Sequence, residues 1–150
     1  MFDLKELYQE VIVDHNRNPR NCYEMADACH CADGFNPLCG DKLTLFLNID
    51  DNKIIQKASF QGRGCAISTA SASLMTDALK GLSVKQAKAL FERFHQMVTG
   101  DNDADFETMD KLTVLAGVRE FPARVKCATL AWHTLMAAFE QKIGTIASTE

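Results

Sequence analysis

The chain lacks the marks of several protein classes. No apolar run approaches the roughly 20 residues that a membrane-spanning helix needs, so a membrane role is not expected. The first residues, Met1-Phe2-Asp3-Leu4-Lys5-Glu6, carry acids early and show no signal-peptide pattern. A cytoplasmic protein is therefore expected. There is no excess of positive charge: the formal net charge is −4, which argues against a nucleic-acid partner, since such proteins present a basic face. There is no internal repeat and no low-complexity tract. No sign of a second domain is found, and residues 1–150 are expected to form one. A hydrophobic content of 47% with 24% charged residues suits a soluble globular protein.

What is present is cysteine, six in all. In a reducing compartment, cysteines point to metal or redox chemistry rather than to a disulfide framework. Three of them sit in distinctive settings. Cys39 lies in Asn36-Pro37-Leu38-Cys39-Gly40-Asp41, a turn sequence with a carboxylate two residues on. Cys65 follows Gly62-Arg63-Gly64 and precedes Ala66-Ile67-Ser68, so a glycine loop opens a helix there. Cys127 lies in Arg124-Val125-Lys126-Cys127-Ala128-Thr129, read as a second helix start. Metal-binding thiols must ionise below their ordinary pKa of about 8.5, and helix N-termini and nearby cations promote this. Arg63, Arg124 and Lys126 supply such cations. Cys39, Asp41, Cys65 and Cys127 would make a tetrahedral set of three sulfurs and one oxygen. The carboxylate would be its harder, more readily displaced member. From residue types alone, a metal site and three ordinary buried thiols both remain open.

The periodicity predicts an α+β fold. A helix is expected over 2–15, with Leu4, Leu7, Tyr8, Val11 and Ile12 on one stripe, ended by the turn chemistry of Asn18-Pro19. Alternation at residues 26–32 allows an edge strand, with Asp33-Gly34 read as a turn. Strands follow over 42–50 and 54–61, joined by a turn at Asp50-Asp51-Asn52-Lys53. Helices are expected over 65–79, after Ser83 with a Ser83/Gln86 capping box, over 106–116, and over 127–141, with Pro122 read as a chain break. The architecture expected is a small three-stranded antiparallel sheet with helices packed on one face.

The three cysteine segments, continued as Thr69-Ala70-Ser71-Ala72-Ser73 after the second and Leu130-Ala131-Trp132 after the third, resemble the three motifs of an iron–sulfur cluster assembly family. That family includes IscU, SufU and the N-terminal domain of NifU. Val11-Ile12-Val13-Asp14-His15 and Asn18-Pro19-Arg20-Asn21 are similar as well, so the likeness runs from about Leu4 to Phe139. Within the family the chain looks most like the SufU branch. Scaffolds of the IscU type carry histidine directly before the third cysteine, where this chain has Lys126. The second and third cysteines are also 62 positions apart, from 65 to 127, with residues 99–117 supplying extra length, and Gly117-Val118-Arg119-Glu120-Phe121-Pro122 is SufU-like.

The resemblance implies a zinc-dependent sulfurtransferase. Its Cys39 would accept persulfide sulfur from a PLP-dependent cysteine desulfurase of the SufS type and pass it to SufBCD-type cluster assembly machinery. It implies Cys39, Asp41, Cys65 and Cys127 as zinc ligands, with Arg124 and Lys126 in support. The alternative it leaves is an IscU-type scaffold, not an enzyme, that holds a nascent [2Fe–2S] cluster on the same residues.

Other candidates are weaker. Cys22, Cys29, His30 and Cys31 are not family features, and an auxiliary metal or redox pair on Cys29 and Cys31 stands against incidental thiols. Asp101, Asp103 and Asp105 begin like a calcium loop but fail it at Phe106 and Leu112. His15, His95 and His133 are expected at the surface or in capping roles, and Trp132 in the core.

Overall fold

The computed structural model describes residues 4–26, 28–37, 40–99, 115, 122–140 and 145–148, with the backbone alone at 4–9, 122 and 145–148. Helix α1 (Leu4–Arg17) is followed by strands β1 (His30–Asn36), β2 (Asp41–Ile49) and β3 (Ile55–Arg63). Helices α2 (Ala66–Leu79), α3 (Val84–Thr99) and α4 (Pro122–Glu140) come next, and a short strand β4 (Thr145–Ser148) closes the order. Strands β1, β2 and β3 form the expected three-stranded antiparallel sheet, with helices on one face. To it β4 adds a parallel edge beside β1, in the order β3-β2-β1-β4.

The central strand shows why one face is covered. Leu43, Leu45 and Leu47 alternate along β2 and are buried, and they pair with Gly62, Phe60 and Ala58 of β3. Alternation of this kind puts one side of a strand in the core and leaves the other outside. The β2–β3 turn is held by Asp50, whose Oδ1 accepts from the amides of Asn52 and Ile54, each at 2.9 Å. The capping box opens α3 as expected: Ser83 N donates to Gln86 Oε1 at 2.9 Å, and Gln86 N to Ser83 Oγ at 3.0 Å. Trp132 of α4 is fully buried, stacked on Phe94 of α3 at 4.5 Å between centroids. Its indole N–H donates to Ser71 Oγ of α2 at 3.2 Å.

Three sequence expectations need correction. Asp33-Gly34 is not a turn; both lie inside β1, opposite Thr44 and Leu43. Gly34 is required there because a Cβ would collide with Thr134 Oγ1 and crowd Leu130 of α4, so the glycine serves close helix–strand approach. Pro122 does not interrupt the chain between elements but begins α4, as proline's missing N–H costs nothing in the first helical turn. Cys127 therefore sits in the second turn of α4, not at its start. His15 is buried rather than superficial, with Nδ1 2.7 Å from Ser73 Oγ of α2. The expected helix over 106–116 and the acidic residues Asp101, Asp103 and Asp105 lie outside the described residues, apart from Leu115, which is buried in the core. No helix among the described residues is long and apolar enough to cross a membrane.

Candidate metal centre

The last pair of the β1–β2 ladder, Asn36 opposite Asp41, ends the sheet beside the start of α2 and the second turn of α4. Gly40 N donates to Asn36 O at 2.9 Å across this end. Asp41 is buried, and its side chain is held by a backbone group: Cys65 N donates to Oδ1 at 2.9 Å. Gly64 makes that contact possible. A Cβ at position 64 would stand 2.9 Å from Asp41 Oδ1 and 3.0 Å from Ser68 Oγ, so any larger residue would displace the carboxylate.

Cys65 is the N-cap of α2, with extended backbone, and its Sγ accepts from Ser68 N at 3.4 Å. An N-cap sulfur faces the unpaired amides of the helix end. Cys127, in the second turn of α4, is not so placed, and its sulfur instead receives Asn36 Nδ2 at 3.8 Å. One sulfur is therefore met by a helix-end amide and the other by a side-chain amide from the sheet.

Among the described residues, Asp41, Cys65 and Cys127 are the one group of three or more acidic, histidine or cysteine residues whose ligand atoms all lie within 4.8 Å of one another. Asp41 Oδ2 and Cys65 Sγ are 4.0 Å apart. Tetrahedral zinc bonds of about 2.3 Å to sulfur and 2.0–2.2 Å to oxygen place ligand atoms about 3.5–3.8 Å from each other. The group fits such an ion with an inward movement of about 1 Å or less. Two soft thiolates and a carboxylate suit zinc or iron, whereas magnesium and calcium prefer all-oxygen sets.

Cys39, expected as the fourth ligand and sulfur acceptor, lies outside the described residues, separated in sequence from Asp41 by one residue. Arg124 is exposed and Lys126 half-buried on α4. Sequence reasoning missed Asn36 and Ser68. Asn36 opens the first cysteine segment, and a polar residue ending a strand beside a proline was the available signal. Ser68 stands three residues after an N-cap, where its amide is due to be satisfied.

The remaining described cysteines do not converge. Cys22 is exposed, Cys29 Sγ accepts from Ile49 N at 3.2 Å, and Cys31 stands on β1 with its thiol pKa pushed up by burial and by Asp33. His30 Nδ1 donates to Ala138 O at 2.7 Å.

A buried carboxylate and two thiols, drawn from a hairpin and two helices to the end of an antiparallel sheet, define a metal-binding α+β protein of the cluster-assembly class. The family described as NifU-like N terminal domain matches residues 7–140, and the chain belongs to it. The chain is 42% identical to the zinc-dependent sulfurtransferase SufU of Bacillus subtilis over 133 residues, 89% of each protein. It is 40% identical to the iron–sulfur cluster assembly scaffold protein IscU of Streptococcus pyogenes over 138 residues, covering 92% of this chain and 86% of that one. Among solved structures it is similar to a protein of Fervidobacterium islandicum described as an iron–sulfur cluster assembly scaffold for the SUF system. The TM-score is 0.82 at 31% identity, over 89% of this chain and 96% of that one.

Proposed function

We propose that this chain is a zinc-dependent sulfurtransferase of the cytoplasm. It accepts sulfur from a SufS-type, PLP-dependent cysteine desulfurase and delivers it to SufBCD-type machinery. The observation that carries this reading is the meeting of Asp41, Cys65 and Cys127 within 4.8 Å, at the sheet end whose connecting residues include Cys39. The activity named for the Bacillus subtilis relative supports it.

Cys39, Asp41, Cys65 and Cys127 would hold the ion. Bound zinc keeps thiols ionised at neutral pH and, having no redox chemistry, does not oxidise them. The chain's own groups do the rest. Cys65 N–H fixes the carboxylate of Asp41, Ser68 N–H and Asn36 Nδ2 steady the two sulfurs, and Arg124 and Lys126 support the anionic sulfur. The Cys39 thiolate attacks the outer sulfur of the donor's persulfide. A new S–S bond forms, the old one breaks, and the donor cysteine leaves as thiolate. The persulfide proton stays with the transferred sulfur, so charge and oxidation state balance. Such exchange follows the pKa rules of thiol–disulfide chemistry.

A scaffold role is the second reading, favoured by the name of the Streptococcus pyogenes relative. The deciding experiment measures cysteine turnover by the cognate desulfurase under reducing conditions. Strong stimulation by the zinc-loaded chain, lost in Cys39→Ala, is the expected result. No stimulation, together with a cluster that forms on the chain and moves to an apo-ferredoxin, establishes the scaffold instead.

A further inference from the structure

The sheet face turned away from the helices carries three exposed side chains in one row. Phe35 of β1 pairs with Lys42 of β2, and Lys42 pairs with Arg63 of β3. Successive strand residues point to opposite faces. Asn36, Asp41 and Leu43 are buried on the helix side, so Phe35 and Lys42 project from the outer face, and Arg63 with them by its pairing. All three are exposed, Phe35 at 43%. The row lies one position from the Asn36–Asp41 pair, at the end of the hairpin whose connection includes Cys39.

Charge sets this strip apart. The chain carries a net −4, yet Lys42 and Arg63 stand side by side. Neither forms an ion pair among the described residues, where the pairs are Arg20–Asp14 and Lys88–Glu140. The acid on the same face of β1, Asp33, is engaged by Thr44 Oγ1 at 2.7 Å. Phe35 and Arg63, at the two ends of the row, are also of residue types enriched at interface centres.

Sulfur transfer brings the donor's persulfide to within about 3–3.5 Å of the attacking sulfur, so the donor's body must rest on surface beside the hairpin end. Complementary charge there would steer the encounter and fix orientation. We propose that Phe35, Lys42 and Arg63 form the docking strip for the sulfur donor, which presents an acidic segment beside its reactive cysteine. The donor's identity rests on the sulfur-transfer reading above; the strip rests on the row itself.

The test is a binding titration of the zinc-loaded chain against the desulfurase with its reactive cysteine replaced by serine. Lys42→Glu/Arg63→Glu should raise Kd about tenfold and flatten its dependence on salt, because opposed charges become like charges. Phe35→Ser should raise Kd about threefold or more. Lys80→Glu/Lys85→Glu makes the same charge change at the opposite end of β3, where Gly81 N meets Ile55 O, and should leave Kd within about twofold. With the active desulfurase, Lys42→Glu alone, which leaves Arg63 in place, should reach wild-type stimulation at saturation and keep its zinc. An unchanged Kd and salt dependence in the Lys42/Arg63 variant, with stimulation still lost in Cys39→Ala, overturns the strip and keeps the function. Absence of stimulation by the wild-type chain overturns the function, and with it the strip's donor.

Discussion

The chain holds two populations of cysteine, and their surroundings differ more than their spacing in sequence suggests. Cys29 and Cys31 are neighbours along the chain, yet the first turns to the backbone of Ile49 and the second sits on β1 beside Asp33. Cys65 and Cys127 are 62 positions apart and meet Asp41 at one point. Each of these has a donor aimed at its sulfur from Ser68 N or Asn36 Nδ2. Proximity in sequence therefore does not make a ligand set. Convergence of separate elements makes the candidate set; a donor to sulfur alone does not, since Cys29 also receives Ile49 N.

The largest effect expected from this contrast is on zinc. Cys127→Ser should lower zinc affinity by more than about a hundredfold, since altering mere supporting groups already costs 10–100-fold. Cys31→Ser should leave the zinc content of the purified protein unchanged. Metal analysis after dialysis against a weak chelator checks both, and equal losses in the two variants would erase the distinction.

A smaller effect should come from Gly64→Ala, which touches no ligand directly through its own chemistry. The added Cβ meets Asp41 Oδ1 at 2.9 Å, so zinc affinity should fall about tenfold to a hundredfold. Competition with a fluorescent chelator measures this, and Ala66→Gly, on the exposed side of α2, serves as the comparison that should bind zinc as before.

The smallest effect concerns Cys31 itself. Burial, and then the charge of Asp33, push its thiol above the ordinary value for a cysteine, so little thiolate exists at pH 7. Alkylation of Cys31 by iodoacetamide should be slow at neutral pH and climb as pH rises beyond 9. Asp33→Asn should speed it about two- to fivefold, because one of the two causes of the raised pKa is removed. Peptide mapping across a pH series reads the rate, and a rate indifferent to Asp33 would assign the shift to burial alone.

Much of this arrangement was legible in the sequence. The leucine alternation of β2, the Asp50 turn, the Ser83/Gln86 box and the cap at Cys65 are local patterns, and local physics decides them. The family motifs then named Asp41, Cys65 and Cys127 together, which spacing alone did not achieve. What escaped was set by distant partners. Asp33-Gly34 carries the strongest turn signal in its region, but Gly34 answers to Thr134, a hundred positions on. Nothing near His15 in sequence hints at Ser73, 58 positions away, so its burial is not legible there. Proline more often breaks a helix than opens one, so Pro122 hides the true start of α4 and makes Cys127 look like a helix start it does not occupy. The strand β4 has four residues, too few to show a period.

The placement of Asp41, Cys65 and Cys127 has a consequence for how the protein comes into being. Asp41 and Cys127 are separated by 86 positions of chain, from 41 to 127. Holding so long a loop closed costs conformational entropy, which the docked sheet and helices offset in the folded chain. An ion that binds only the completed arrangement draws the folding equilibrium toward it, by an amount that grows with the logarithm of free metal. Metal supply would therefore act as an inspector of assembly, favouring chains that have finished folding over those that have not.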